Sequence, residues 1–228
     1  MYGASKPPNQ EDDPTNRRSP VQQAVGSILG VTTTRGFEGR RRSSSERLPP
    51  GQYLVDDFPV LTAGPTPEIA LQDWALTVGQ ESTERTFSWD QFTELATERF
   101  TTDLHCVTRW SKLDTDWEGV ALDTLMEATG MGDAPFALIS SYGGYTTNVP
   151  TEDLVDGKAW VAFRYDGADL EPEHGGPARL LVPHLYLWKS AKWVNEIRFF
   201  DEDEPGFWEA AGYHSYGDPW REQRYDGD

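Results

Sequence analysis

The stretch AWVAFRYDGADLEPEHGGPARLLV, residues 159–182, decides the fold class. It begins with an apolar and aromatic run at 159–165 and ends with a second run at 179–182, both typical of strands. The residues between them include Gly175-Gly176-Pro177 and show turn chemistry rather than a helical period. Two strands joined without a helix do not fit a regular βαβ repeat, so the stretch favours an α+β architecture.

Outward from this stretch, strand and helix patterns alternate irregularly. Further strands are predicted at 73–78, 100–110 and 192–200, and a helical turn at 151–155. Ser88 and Gln91 form a capping box that predicts a helix to about residue 97, while Gly130 ends a second helix that starts near Leu122. A last helix is predicted at 206–213. The pattern predicts a mixed-sheet α+β domain.

The first 47 residues differ in composition from the rest. They carry a net charge of +3, whereas residues 48–228 carry −21. Almost no aromatic side chains occur there, so they bury too little apolar surface to offset chain entropy. We therefore predict a basic, disordered tail at 1–47 and a folded domain at 48–228. Apolar residues at helical spacing over 21–29 leave a short docked helix as the alternative.

The charge balance excludes several partners. With 20 basic and 38 acidic side chains, the net charge is −18, which repels nucleic acids and anionic lipid headgroups. Only five bases are lysine, and 20 of the acids are aspartate, a composition that suits a salt-rich cytoplasm. This indicates a halophile; the alternative is an ordinary acidic protein that its charge keeps in solution.

Cysteine usage and hydropathy indicate the compartment. The one cysteine, Cys106, has no partner for an internal disulfide, and no Cys/His spacing indicates a zinc site. No segment is long and apolar enough to span a bilayer, and Arg17-Arg18 precedes a stretch too polar for an export signal. We expect a cytoplasmic protein without a membrane span.

Cys106 is the first candidate for chemistry. A thiolate is a nucleophile and a ligand for soft metals, and the neighbouring His105 and Arg109 would lower its pKa. In a strand, however, these two side chains would point to the face opposite Cys106. A buried cysteine that acts only as a small hydrophobe is the alternative.

A cluster of cations is the second candidate. Arg179, Lys189 and Lys192 lie within fourteen residues, which predicts a positive pocket that holds a phosphate. The preceding Gly175-Gly176-Pro177 allows an anion to approach the main chain. An ordinary turn with surface bases is the alternative.

Four motifs occur in an order and spacing similar to a known family. They are His105-Cys106, Ser141 to Thr147, His174 to Leu180, and Lys189 to Trp193. The set resembles the molybdopterin domain of sulfite-oxidase-like oxidoreductases over about residues 48–200. It is most similar to the stand-alone prokaryotic branch related to the catalytic subunit of methionine-sulfoxide reductases.

The resemblance implies a Mo-molybdopterin cofactor and a role for each matching residue. Cys106 would be the metal ligand, and Cys106, Arg109 and Tyr145 the catalytic residues. Phe58 begins a segment that resembles one lining the pterin. The cofactor-binding residues would be His105, Ser141, His174, Arg179, Ser190, Ala191 and Lys192.

The implied activity is two-electron oxygen-atom transfer on a small substrate, either a sulfite-like oxyanion or a sulfoxide. Sulfite oxidases usually have Gly-Asn-Arg after the ligand, whereas this chain has Val107-Thr108-Arg109. We expect a monomer with an unidentified electron donor or acceptor protein, because haem and dimerisation domains are missing from the sequence.

Two other functions remain open from the residues. One is a non-catalytic acidic binding module. The other is a hydrolase with Cys106 as nucleophile, although neither His184 nor His214 shows an orienting carboxylate in the sequence.

Overall fold

The computed structural model describes residues 43–80, 82–130 and 134–228, which form two mixed sheets with three short α-helices. The helices are α1 (Trp89–Thr93), α2 (Leu122–Thr129) and α3 (Phe207–Ala210). The strands are β1 (Tyr53–Leu54), β2 (Ala75–Gly79), β3 (Arg85–Ser88), β4 (Thr97–His105), β5 (Trp110–Ala121), β6 (Phe136–Ser141), β7 (Thr146–Pro150), β8 (Trp160–Tyr165), β9 (Ala168–Asp169), β10 (Arg179–Leu181) and β11 (Val194–Phe200). This arrangement confirms the α+β class.

The six-stranded sheet is built around β5 and β8. The long strand β5 pairs antiparallel with β4 and β8 and parallel with the short β1. β8 pairs antiparallel with β9 and β10. The sheet therefore brings the β4–β5 turn and the residues around β10 into one layer.

The second sheet has five strands in the order β3-β2-β11-β6-β7. β2 and β11 are parallel, and the other neighbours are antiparallel. Its alternating side chains bury Leu76, Val78 and Ile197 completely, and α2 adds Leu122 and Leu125 to the same core.

Most predicted elements are confirmed with bounds that differ by two residues or fewer, but three differ by more. The capping box forms as predicted, with Ser88 as N-cap of α1, but the helix ends at Thr93 because β4 begins at Thr97. α2 ends at Gly130 in the left-handed conformation, as predicted. The final helix covers only Phe207–Ala210.

The third difference is at residues 100–110, for which the prediction of one continuous strand is wrong. This segment contains the end of β4, a turn and the first residue of β5.

The structure attaches residues 43–47 to the domain. Ser44–Arg47 forms a 3-10 turn, and the Arg47 guanidinium binds the carboxylates of Asp103 and Asp114. These ion pairs raise the Arg47 pKa above its usual value. The rest of the predicted tail lies outside the described residues.

In the described part of the chain, no helix has the length and apolarity needed to cross a bilayer.

Gly119 is needed where β5 and β8 approach each other. A Cβ at this position would lie 2.7 Å from the Val161 carbonyl oxygen and 2.8 Å from Ala162 Cα. We expect Gly119→Ala to lower the free energy of unfolding by about 1–3 kcal/mol, because the strands must move apart. Gly64→Ala is the control, since no atom lies within 4 Å of its added Cβ. Urea unfolding of both variants tests this, and equal stability of the two would contradict it.

Candidate active site

Cys106 lies in a tight turn that connects β4 with β5. The Cys106 amide donates to the Trp110 carbonyl at 2.9 Å, and the Arg109 amide donates to the Cys106 carbonyl at 3.0 Å. Arg109 closes the turn with a φ of +78°. The thiol is thus placed at the end of a hairpin, where strand alternation does not apply.

The thiol is buried but has polar neighbours. Cys106 is 7% exposed, and the Thr108 hydroxyl donates to its sulfur at 3.1 Å. Burial raises the pKa of the Cys106 thiol, while hydrogen bonds from Thr108 and the positive charge of Lys192 act in the opposite direction. Gln52 Nε2 donates to the Cys106 carbonyl at 3.1 Å, which fixes the turn to the preceding segment. Sequence analysis missed both Thr108 and Gln52.

His105 does not activate the thiol. Its ring is buried, and Nδ1 lies 2.8 Å from the Ser111 hydroxyl. Burial lowers the pKa of His105 to about 4, so the imidazole is neutral at pH 7. The indole of Trp220 packs edge-on against it, with centroids 6.3 Å apart. Its role in cofactor binding stays a prediction.

The two other predicted catalytic residues differ in environment. Arg109 is exposed at the end of the Cys106 turn and makes no ion pair with any residue that the structure describes. Tyr145 is half-buried, and its hydroxyl donates to the Trp188 carbonyl at 2.6 Å. Burial raises the pKa of Tyr145 well above its usual value, so it stays protonated.

Arg179 is a buried cation without an anionic partner among the residues that the structure describes. It is 2% exposed, and its guanidinium donates to the carbonyls of His174 at 2.9 Å and Ser190 at 2.8 Å. No carboxylate among the described residues pairs with it, and burial lowers its pKa to about 10. A guanidinium held in this way is suited to a bound anion.

Lys192 joins the cation cluster to the thiol. Burial, followed by the like charge of Arg179, lowers the Lys192 pKa to about 8. Its ammonium donates to the Glu173 carbonyl at 2.5 Å and interacts electrostatically with Cys106. The soft ligand and the cations therefore belong to one site.

His174 completes the anion site. Its Nδ1 is buried and has no hydrogen-bond partner in the described chain, and burial and the charges of Arg179 and Lys192 lower its pKa. Gly175 follows with a φ of +109°, and a Cβ there would lie 3.0 Å from the Cβ atoms of both cations. The glycine is thus required for the close approach of this loop.

Aromatic rings link the two halves of the site. Phe58 stacks on His174 with centroids 4.2 Å apart and meets Trp110 edge-on at 6.2 Å. The Arg179 guanidinium lies 6.0 Å from the ring of Trp117, which Phe58 also contacts. Phe58, which the resemblance placed near the pterin, therefore connects the His174 loop with the Cys106 turn.

The three remaining residues predicted to bind the cofactor differ in whether their polar atoms already have hydrogen-bond partners in the protein. Ser141 Oγ is buried and has no hydrogen-bond partner within the described residues. Ser190 Oγ instead accepts from the Val182 amide at 2.9 Å, and the Ala191 carbonyl accepts from the Leu180 amide at 2.8 Å. Ser190 and Ala191 therefore position β10 and Arg179.

Lys189 is not part of the anion site, so this part of the predicted cation pocket is wrong. Its side chain is fully buried, and Nζ lies 2.6 Å from Glu209 Oε1 and 2.7 Å from Asn148 Oδ1. The carboxylate neutralises the ammonium, which serves to hold α3 against β7.

His184 does have a carboxylate partner, contrary to the sequence interpretation. Its Nε2 lies 2.8 Å from Asp153 Oδ1, which also accepts from the Tyr216 hydroxyl at 3.2 Å. The pair was not visible in the sequence because 31 residues separate its members. No histidine hydrogen-bonds to Cys106 in the described part of the chain, so the thiol lacks the base that a hydrolase requires.

The described residues fit a molybdenum cofactor that bears a phosphate. No anionic acceptor among these residues contacts the buried Arg179 guanidinium, the half-buried Lys192 ammonium or the buried His174 Nδ1. No three His, Cys, Asp or Glu side chains gather into a metal site within those residues. One soft ligand, Cys106, suits a metal whose other ligands come with an organic cofactor.

Comparisons with known proteins agree with this site. The family model of the oxidoreductase molybdopterin binding domain matches residues 63–208. The uncharacterized oxidoreductase YuiH of Bacillus subtilis (strain 168) is 39% identical over 192 residues, which cover 83% of this chain and 97% of the relative.

More distant relatives match over shorter regions. The protein-methionine-sulfoxide reductase catalytic subunit MsrP of Ralstonia nicotianae is 32% identical over 73 residues, or 32% of this chain and 22% of that protein. The crystal structure of the sulfane dehydrogenase SoxCD from Paracoccus pantotrophus has the same fold, with a TM-score of 0.55 at 21% identity, over 60% of this chain and 40% of that one.

The family model matches more than half of the chain, and the Bacillus relative aligns over nearly its whole length. The chain therefore belongs to the sulfite-oxidase-like family of oxidoreductases with a molybdopterin-binding domain, and it is a molybdopterin-dependent enzyme.

Proposed function

We propose that the enzyme catalyses two-electron oxygen-atom transfer on a small substrate, a sulfite-like oxyanion or a sulfoxide. One observation carries this proposal: the Phe58 ring packs both on His174, at 4.2 Å, and against Trp110, whose carbonyl accepts from the Cys106 amide. The loop of the cation cluster and the turn of the soft metal ligand therefore meet at one aromatic side chain. When bound, the molybdenum cofactor supplies the two-electron redox change and the exchange of the oxygen atom.

The chain's own residues would hold and orient the cofactor. Cys106 would ligate molybdenum, and Arg179 and Lys192 would bind the cofactor's phosphate with charged hydrogen bonds. His174 Nδ1 and Ser141 Oγ, both buried without a partner in the described chain, would contact its polar edge. Tyr145 would hold the Trp188 backbone beside this cluster through its hydroxyl.

Two features near the Cys106 turn support the substrate classes. The exposed Arg109 brings a cation to the same turn as the thiol, which suits an oxyanion. Tyr213, which interacts electrostatically with Cys106, and the exposed Trp220 provide aromatic walls that suit a sulfoxide. The name of the Ralstonia relative, a methionine-sulfoxide reductase subunit, supports a sulfoxide as the substrate.

Three further proposals concern how the enzyme works in the cell. A two-electron reaction needs an electron carrier, so we infer a donor or acceptor protein as partner, with residues 48–228 acting as a monomeric catalytic domain. The lone thiol supports a reducing cytoplasm. The excess of acidic side chains supports a cytoplasm that is rich in salt.

Assays with two substrates test the function. Molybdenum-loaded protein should oxidise sulfite with ferricyanide, or reduce methionine sulfoxide with reduced benzyl viologen. If sulfite is the substrate, Arg109→Asn should raise its KM at least about 10-fold, the effect of losing one charged hydrogen bond. Asparagine is chosen because it tolerates the positive φ of this position. Arg99→Ala, at a side chain that is 80% exposed, is the control. Fully loaded protein inactive in both assays would contradict the proposal.

Cys106→Ser tests the metal ligand. We expect the variant to fold, because the change is nearly isosteric, but to lose turnover and the thiolate-to-molybdenum absorption band, since a hard hydroxyl replaces a soft sulfur. Circular dichroism, visible absorption and steady-state kinetics measure these effects. Parental turnover in the variant would exclude Cys106 as the ligand.

Arg179→Ala tests the cofactor anchor. Loss of a charged hydrogen bond should weaken cofactor retention by about 1.5–3 kcal/mol, measured as molybdenum and pterin content during dialysis. Because Arg179 also donates to two carbonyls, Lys192→Ala provides a second variant with less effect on the fold. Arg99→Ala again serves as control. Parental retention in both site variants would contradict the assignment.

A further inference from the structure

Thr108 directs its hydroxyl at the proposed ligand sulfur. Oγ1 donates to Cys106 Sγ at 3.1 Å. In the described part of the chain, Thr108 is the one residue whose side chain makes a hydrogen bond to it.

The turn keeps this geometry fixed. The backbone of Cys106 is bonded to Trp110 on one side and to Arg109 on the other, and Gln52 binds its carbonyl. The cysteine is buried, whereas Thr108 is exposed. The hydroxyl thus covers the sulfur from the solvent side without taking part in the core.

The direction of the hydroxyl distinguishes Thr108 from an ordinary turn residue. Threonine hydroxyls in turns commonly bond to nearby backbone groups. Thr93 and Thr129, the last residues of α1 and α2, also bond to the backbone, donating to the carbonyls of Trp89 at 3.0 Å and Met126 at 2.9 Å. Thr108 bonds to a sulfur instead, which makes it part of the environment of the metal ligand.

We propose that Thr108 is a positioning residue that raises the reduction potential of the molybdenum centre through its hydrogen bond to Cys106 Sγ. The inference rests on the proposed role of Cys106 as ligand. A hydrogen bond to a thiolate draws electron density from the sulfur and weakens its donation to the metal. Weaker donation favours the reduced metal, so the potential rises.

Two variants separate the hydroxyl from the shape of the side chain. Thr108→Val keeps the branched shape and removes the donor, whereas Thr108→Ser keeps the donor. Both changes are at an exposed position and should leave folding and molybdenum content unchanged. Thr86→Val is the matched control, because Thr86 lies on β3, the edge strand of the other sheet, and its hydroxyl bonds to Thr77.

The measurements are a redox titration of the Mo(V) electron paramagnetic resonance signal and the energy of the thiolate-to-molybdenum absorption band. For Thr108→Val we expect a lower potential and a shift of the band to longer wavelength. In Thr108→Ser the potential and the band should stay closer to the parental values, because the donor is kept. Thr86→Val should change neither quantity.

The outcomes separate this inference from the proposed function. Parental potential and band in fully loaded Thr108→Val would overturn the role of Thr108 and leave Cys106 as ligand. If the absorption band of the parent protein persists in the Cys106→Ser variant, both the ligand assignment and the inference are overturned.

Discussion

A guanidinium buried without a carboxylate is the constraint on which the site depends. Arg179 is held by backbone carbonyls, and although burial lowers its pKa to about 10, the guanidinium is charged at pH 7 and has no anionic partner in the described structure. Burying such a charge costs free energy unless an anion compensates it. In the site that we propose, the close approach of Gly175 and the hydrogen bond from Arg179 to the Ser190 carbonyl would hold this charge ready for the cofactor's phosphate.

The local patterns predicted most of the fold. Alternating apolar residues located β2, β8 and β11, and the capping box at Ser88 and the glycine at 130 located two helix ends. The pairing of the strands within the sheets could not be predicted from these local patterns. The parallel pairing of β2 with β11 joins residues more than one hundred positions apart, and the turn at Cys106 interrupts a pattern that continues through it. Both depend on tertiary contacts that leave no local signal.

The candidate site was predictable where the chain itself brings residues together. His174, Arg179 and Lys192 lie close in sequence, and the structure places them in one cluster with Cys106. The Thr108 hydrogen bond was missed, although a threonine two residues after a cysteine in a tight turn is a usable signal. The His184–Asp153 pair left no such signal, because its members come from distant loops.

Lys189 and Lys192 show why charge spacing alone does not define an anion site. They lie three residues apart, but Lys189 is fully buried and Lys192 is half-buried, and among the described residues only the first of the two forms an ion pair, with Glu209. The chain has 38 acidic side chains, so neutralising a cation is easily achieved. That Arg179 and Lys192 find no carboxylate within hydrogen-bonding distance in the described chain is therefore informative. The difference arises from the acceptors that the fold provides, and it separates a structural ion pair from the two cations that we propose for the cofactor.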